Sequence, residues 1–333
     1  MVINPTVEDP LNKGRIAMTT NSPGITPAIT ASDAEKRRNE RRGLVLGVVG
    51  VTIFGLTFPF TRMAVLEMDP LFVALGRAVL AAALAAIVLI ATRTPVPPRE
   101  LWGGLSRYSL GVILGFPVLA TLAVKVAPAA HAGVISGILP LATAMASVVV
   151  AGERPSKMFW ACGFAGSAAV VLYALIHGAA GAGMTDTPWW ADAMLFGAIV
   201  CASLGYAEGA KLAGKLGGWQ TISWALVVSS PIMLILTYAF GGPIPWQASA
   251  KAWSGFLYVS VFSMFIGFFA WNRGLALGGI AKVGQVQLLQ TFVTLAGAAF
   301  LLGEPVGLLE VGFAALVVTL VALGWRTRVT RRD

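Results

Sequence analysis

Between Gly43 and Trp325 the chain is built from ten apolar stretches, at about 44–66, 70–92, 106–125, 129–151, 157–177, 189–211, 219–240, 252–275, 281–302 and 308–325. Each is about 18 to 24 residues long, and a helix of that length, at 1.5 Å per residue, crosses a hydrocarbon core of roughly 30 Å. Lipid offers no partner to a backbone N–H or C=O, so a spanning segment pairs its own backbone as a helix or joins a closed barrel. A barrel would show alternating segments of about ten residues, and these stretches do not alternate. The expectation is an all-α integral membrane protein with ten transmembrane helices. Composition agrees: 57% of residues are hydrophobic and 12% charged, against about 25% charged in a soluble domain.

The formal net charge of +9 raises nucleic acid as a partner, but the positions exclude it. Eighteen of the Lys and Arg residues fall in alternate loops and at the ends: Lys36 to Arg42, Arg93, Arg99, Arg107, Arg154, Lys157, Lys211, Lys215, Arg273, Lys282 and Arg326 to Arg332. The opposite loops carry three, Arg62, Lys125 and Lys251. Cytoplasmic loops hold the excess of basic residues, so both termini are expected in the cytoplasm and the chain in the inner (plasma) membrane. Trp102, Trp189, Trp190, Trp246, Trp253 and Trp325 fall near the expected helix ends, where interface anchors sit. Residues 1–42 read as a disordered tail, Pro-, Thr-, Ser- and Asn-rich, that ends in the basic anchor EKRRNERR; residues 326–333 are a basic tail. Cys162 and Cys201 lie inside apolar stretches without a CxxC or a partnered His, which argues against a disulfide framework or a zinc site.

The chain repeats. VAGERPS at 150–156 and LLGEPVG at 301–307 each put Gly-Glu where an apolar stretch stops. At an offset of 151 residues, Ala130 matches Ala281, Gly133 matches Gly284, Thr143 matches Thr294, and Gly152-Glu153 match Gly303-Glu304. Two halves of five helices follow, 43–178 and 179–325. Five is odd, so the halves are inverted relative to one another, a construction many secondary transporters share. Locally the Gly suits a helix C-terminus and the Glu the start of the next helix, so the motif reads as a helix-to-helix turn.

These features resemble the EamA-type branch of the drug/metabolite transporter superfamily. The resemblance spans about residues 43 to 325. It rests on the two Gly-Glu turns, on FGLTFPFTR (Phe54 to Arg62), on Arg77 near the start of the second helix and on FAWNRGLALGG (Phe269 to Gly279). It implies a transporter of small metabolites. Export of amino acids, aromatic ones among them, or of related compounds is the expectation; a multidrug or nucleoside exporter, a non-transporting scaffold and an intramembrane enzyme are the alternatives. No GxSxG, HExxH or P-loop is present, and no cofactor is expected. The partners expected are a small-molecule substrate and the bilayer, with the protein a monomer or homodimer.

Polar residues inside spans mark where a substrate would meet the protein. Several helices carry small or polar residues at helical spacing: Thr57 and Thr61 in the first, Ser136, Pro140, Thr143 and Ser147 in the fourth, Tyr206 in the sixth, Ser260, Ser263, Gly267 and Trp271 in the eighth, and Gly284, Gln287, Thr291 and Thr294 in the ninth. Close helix packing accounts for many of the small ones. The candidates for substrate contact are Thr57, Ser136, Tyr206, Trp271, Asn272, Gln287 and Gln290. Trp271 and Asn272 read equally well as markers of the cytoplasmic interface. A cavity with aromatic walls and few polar groups suits a neutral or zwitterionic molecule with an apolar side chain. Arg77, pointing inward or snorkelling outward, and His131, near the outer end of the fourth helix, are candidates for gating or coupling.

Overall fold

The computed structural model describes residues 31–179, 188–302 and isolated positions between 312 and 331. The chain divides into two units, Met1–Arg37 and Arg38–Asp333. Among the described residues eight helices are long and apolar enough to cross a membrane. They are α1 (Glu35–Val65), α2 (Pro70–Ala91), α3 (Arg99–Val126), α4 (His131–Ala151), α6 (Trp189–Leu216), α7 (Gly218–Phe240), α8 (Ala250–Gly278) and α9 (Ile280–Leu301). A further helix of 23 residues, α5 (Lys157–Ala179), occupies the place of the expected fifth span. The expected tenth, 308–325, lies outside the described residues but for isolated positions, and Glu304 lies outside them altogether. Residues 38–42 of the basic anchor are helical and belong to α1. Their Arg and Glu residues are good helix formers.

The sequence explains where the helices start and stop. Asp69 caps α2 by accepting from the N–H groups of Leu71 and Phe72 at 2.8 and 3.3 Å, with Pro70 at the first helical position, where no N–H is missed. Ser249 caps α8 through the Ala252 N–H. Gly152 ends α4 at φ 65°, in the left-handed region that favours glycine. Gly279, at φ 88°, turns α8 into α9 with no intervening loop.

Beside the 3₁₀ turn Arg99–Leu101 that starts α3, the helices contain two pairs of irregular segments. α3 and α8 each contain a π-helical stretch, Ser109–Gly115 and Tyr258–Ile266. α4 and α9 each contain a 3₁₀ turn, Ser136–Ile138 and Gln285–Gln287. Adding the 151-residue offset to each first member lands on or within two residues of the second. α1 breaks at Leu56, between Gly55 and Thr57. Pro59 has no N–H to give the Gly55 carbonyl four residues back, and Thr294 of α9 donates to that carbonyl instead, at 2.6 Å.

The halves interleave. α2 packs along α7, α3 and α4 along α6, α1 against α8 and α9, and α4 against α9. The α4–α9 crossing is reciprocal: a Cβ on Gly133 would sit 2.8 Å from the Thr294 methyl, and one on Gly284 would sit 3.0 Å from the Thr143 methyl. These are the same two Gly and two Thr that match at the offset. Each residue of one helix meets the counterpart of its own partner, the contact pattern of a two-fold relation. Ile87, Ile90, Val149, Ile235 and Phe300 are exposed on the outside of the bundle, where lipid would cover them. Two short strands, β1 (Glu153–Pro155) and β2 (Val329–Arg331), pair antiparallel at the end of α4.

Candidate functional site

A cavity opens where α1, α2, α3, α6, α8 and α9 meet. Its polar lining is Thr57, Arg77, Tyr206, Ser263 and Gln290; its apolar lining includes Phe54, Val112, Phe116, Ala202 and Phe268. The centre of a water molecule has about 10 Å³ in which to sit there, room for about one water. Both π-helical stretches border it, through Val112 of α3 and Ser263 of α8. Such stretches re-aim side chains and recur at functional sites.

The polar groups have few protein partners. The Thr57 and Ser263 hydroxyls are 2.8 Å apart. Arg77 is 3% exposed, so it points inward. One terminal nitrogen donates to Ser263 Oγ at 3.3 Å, and Nε has no partner. Among the described residues no carboxylate lies within ion-pair distance of it. The carbonyl oxygen of Gln290 also has no partner. One wall is a cluster of rings: Phe54 stacks on Tyr206 at 6.4 Å between centroids, Phe268 leans on Phe54 at 4.8 Å, and Trp271 meets Tyr206 edge-on at 5.3 Å from behind.

Of the residues picked out in the sequence, Thr57, Tyr206, Gln290 and Arg77 line this cavity. The others stand around it. Trp271 is fully buried behind the ring wall, and Asn272, also fully buried, donates to Tyr108 Oη at 2.9 Å and to the Gly218 carbonyl at 3.4 Å. Both side chains thus lie inside the bundle. Gln287 accepts from Thr143 Oγ1 at 3.0 Å across the α4–α9 crossing, and its nitrogen has no partner. Ser136 donates to the Gly133 carbonyl within α4. His131 sits at the start of α4, with Nε2 2.6 Å from Asp192 of α6.

Contacts between the halves lie toward both ends of the bundle. At the end that carries Glu153, the Tyr108–Asn272 bond is joined by Arg107–Glu208 at 2.9 Å and by Lys211 donating to the Val150 carbonyl at 3.3 Å. Glu153 departs from the expectation. It does not cap the helix that follows it; its two oxygens accept from the N–H groups of Ile280 and Ala281, at 2.9 and 2.8 Å, and so cap α9. The left-handed Gly152 turns the chain back toward the α8–α9 junction, whose unpaired N–H groups are the available donors. At the opposite end, His131–Asp192 is joined by Glu67, which accepts from the Ser249 N–H and hydroxyl, both at 2.6 Å. Those two bonds hold the Glu67 carboxyl below its usual pKa of 4.5.

Three of these features went unread in the sequence. Asp192 lies in the first turn of α6, at the depth of His131, and an acid and a histidine at matching depths of two spans were the available signal. Arg62 donates to the carbonyls of Val124 and Lys125 at 2.6 and 2.7 Å, and Lys125 to that of Val65 at 2.8 Å. These two exceptions to the basic-residue bias thus satisfy helix C-termini. The Glu67–Ser249 contact joins two loops 182 residues apart and had no local signal.

Comparison with known proteins places these observations in context. The model of the EamA-like transporter family matches twice, over residues 41–175 and 189–324. "Uncharacterized transporter YdeK" of Bacillus subtilis (strain 168) is 45% identical over 285 residues, 85% of this chain and 97% of that protein. "Uncharacterized transporter YyaM" of the same organism is 24% identical over 280 residues, 81% of this chain and 90% of that one. A solved structure described as "Crystal structure of protein" superposes with a TM-score of 0.69 at 16% identity, over 85% of this chain and 97% of the other, a likeness of fold.

Proposed function

Because the chain belongs to the EamA-like transporter family, we propose that it moves a small metabolite across the inner membrane by alternating access, with the cavity around Arg77 as the site that opens to each face in turn. The observation that carries this reading is a small cavity with room for about one water, lined by both halves, with contacts between the halves toward either end of the bundle. A carrier passes through an occluded state between its two open ones. The reciprocal α4–α9 crossing and the paired irregularities support halves 43–178 and 179–325 related by inversion. In this reading Tyr108–Asn272 and Arg107–Glu208 belong to the cytoplasmic gate, and His131–Asp192 and Glu67–Ser249 to the outer one.

The cargo is a small metabolite with a flat apolar body, of the amino acid class or related to it, and is exported. The rings of Phe54, Tyr206 and Phe268 offer the body a face, and Thr57, Ser263 and Gln290 offer hydrogen bonds. The test is uptake into proteoliposomes of amino acids, nucleosides and cationic dyes, with and without a pH gradient. Accumulation of any of them above empty liposomes is expected, and none at all would remove the transporter reading.

A further inference from the structure

Arg77 is the one ionised side chain among the described residues of the cavity lining. A guanidinium stays charged in any protein environment and carries five N–H donors in a planar fork. Taking such a charge out of water is costly, and proteins offset the cost with a carboxylate partner and a full set of hydrogen bonds. Arg77 has neither among the described residues: one donor meets the Ser263 hydroxyl at 3.3 Å and Nε meets nothing. As a tie between α2 and α8 this is poor value, since a serine or threonine in its place would make the same single bond without a buried charge. The side chain is held where a charge is expensive and its donors are left over.

The arrangement is what a receptor for an anion needs. We infer that Arg77 receives the negatively charged group of the cargo, a carboxylate bound by the guanidinium fork, and that the transported class is organic monoanions with an aromatic or apolar body. The inference rests on the transporter reading and, in charge class, replaces the zwitterionic amino acids proposed above with related organic anions. Thr57 and Ser263 can turn their hydroxyl hydrogens toward the same group, and the Phe54–Tyr206–Phe268 wall takes the body. Charge balance sets the class. Among the described residues no Asp or Glu lines the cavity, so their share of the empty site carries one positive charge and a monoanion neutralises it. A zwitterion leaves the charge in place and offers its ammonium only neutral acceptors such as the Gln290 carbonyl oxygen. A cation doubles the charge in a closed, low-dielectric space.

The test uses the full chain in proteoliposomes, incubated with a bacterial small-molecule extract, with the lumen contents read by mass spectrometry against empty liposomes and sorted by net charge at pH 7. Wild type should accumulate organic monoanions. Arg77→Gln should lose them by at least roughly tenfold, the worth of a hydrogen-bonded charge partner, while eluting as a folded species. Should Arg77→Gln fail to fold, Arg77→Lys keeps the charge and loses the fork. It should take up the same anions with an apparent affinity at least about tenfold weaker; an unchanged affinity overturns the inference. Accumulation confined to zwitterions or cations, or anion uptake untouched by Arg77→Gln, also overturns it and leaves the transporter reading standing. If nothing accumulates, both fall together.

Discussion

The two oxygens of Glu153, 4% exposed, accept from Ile280 N at 2.9 Å and Ala281 N at 2.8 Å. Replacing Glu153 by Ala removes both acceptors and the negative charge at the positive end of α9. Hydrogen bonds to a charged group are worth about 1.5–3 kcal/mol each, and each buried N–H left bare costs about 1–3 kcal/mol. These are two descriptions of the same loss, so they do not add. With the helix-dipole contribution of roughly 0.3–1 kcal/mol, the expected destabilisation is about 3–5 kcal/mol. Glu153→Gln keeps one acceptor oxygen but turns an amide N–H₂ toward a backbone N–H, and should cost about 1–3 kcal/mol. In a chain larger than 250 residues each kcal/mol moves Tm by about 2–3 °C, so the alanine variant should melt roughly 6–15 °C lower and the glutamine variant in between. The assay is thermal unfolding of the detergent-solubilised protein followed by tryptophan fluorescence, with Arg154→Ala as the control, because Arg154 is the exposed neighbour of Glu153. An alanine variant within about 1 °C of wild type would refute the cap on α9, and an equal loss in the Arg154 control would assign the effect to the turn instead.

Gly133→Ala should destabilise by about 1–3 kcal/mol, because its Cβ would lie 2.8 Å from the Thr294 methyl. Thr294→Ser removes that methyl, keeps the hydroxyl and should recover part of the loss; thermal melts of the double variant check this. Tyr108→Phe takes the 2.9 Å bond from Asn272 and should raise labelling of a cysteine placed at Thr57 by an impermeant thiol reagent applied from the cytoplasmic side. Glu67 is ionised in the fold with its pKa lowered by its bonds from Ser249. Its tie is therefore present above the unfolded value and lost as pH falls through the lower folded one, so protection of the Ser249 amide, measured as exchange relative to its intrinsic rate at each pH, should fall only in acid. Gln287→Leu should lower Tm, through its bond with Thr143, whereas Gln290→Leu should reduce uptake with Tm held, and the reverse pattern would exchange their roles.

The helices were legible because a span in lipid has to be a helix of fixed length, and the observed spans lie over the expected stretches for α1 to α4 and α6 to α9. Their irregularities were legible only in part. Pro117 and Pro140, which leave the carbonyls four residues back without an N–H, follow the irregular stretches of α3 and α4, while those of α8 and α9 carry no proline to mark them. The repeat was legible from a handful of identities, and the structure gives two of them a cause. Gly133 and Gly284 are small because Thr294 and Thr143 press on them across the same crossing. Glu153 was legible as half of a turn, but its partner helix was not, since 127 residues separate it from Ile280.

The same reasoning accounts for the ninth helix, where the sequence offered a single stripe, Gly284, Gln287, Thr291 and Thr294. In the structure that stripe meets α4: Gly284 lies against Thr143, Gln287 bonds Thr143, Thr291 donates to the Gly133 carbonyl and Thr294 packs on Gly133. Its period is that of helix packing, so polar spacing along α9 reports the α4 contact first. Gln290 lies off the stripe and lines the cavity. A cavity shared by six helices takes one or two residues from each, so no helix can show it as a period. Arg77 carries the signal that survives without a period, because a charge within an apolar span has to be answered by something. The described residues answer it with one serine hydroxyl and leave Nε without a partner, and that shortfall is what the proposed anion would make up.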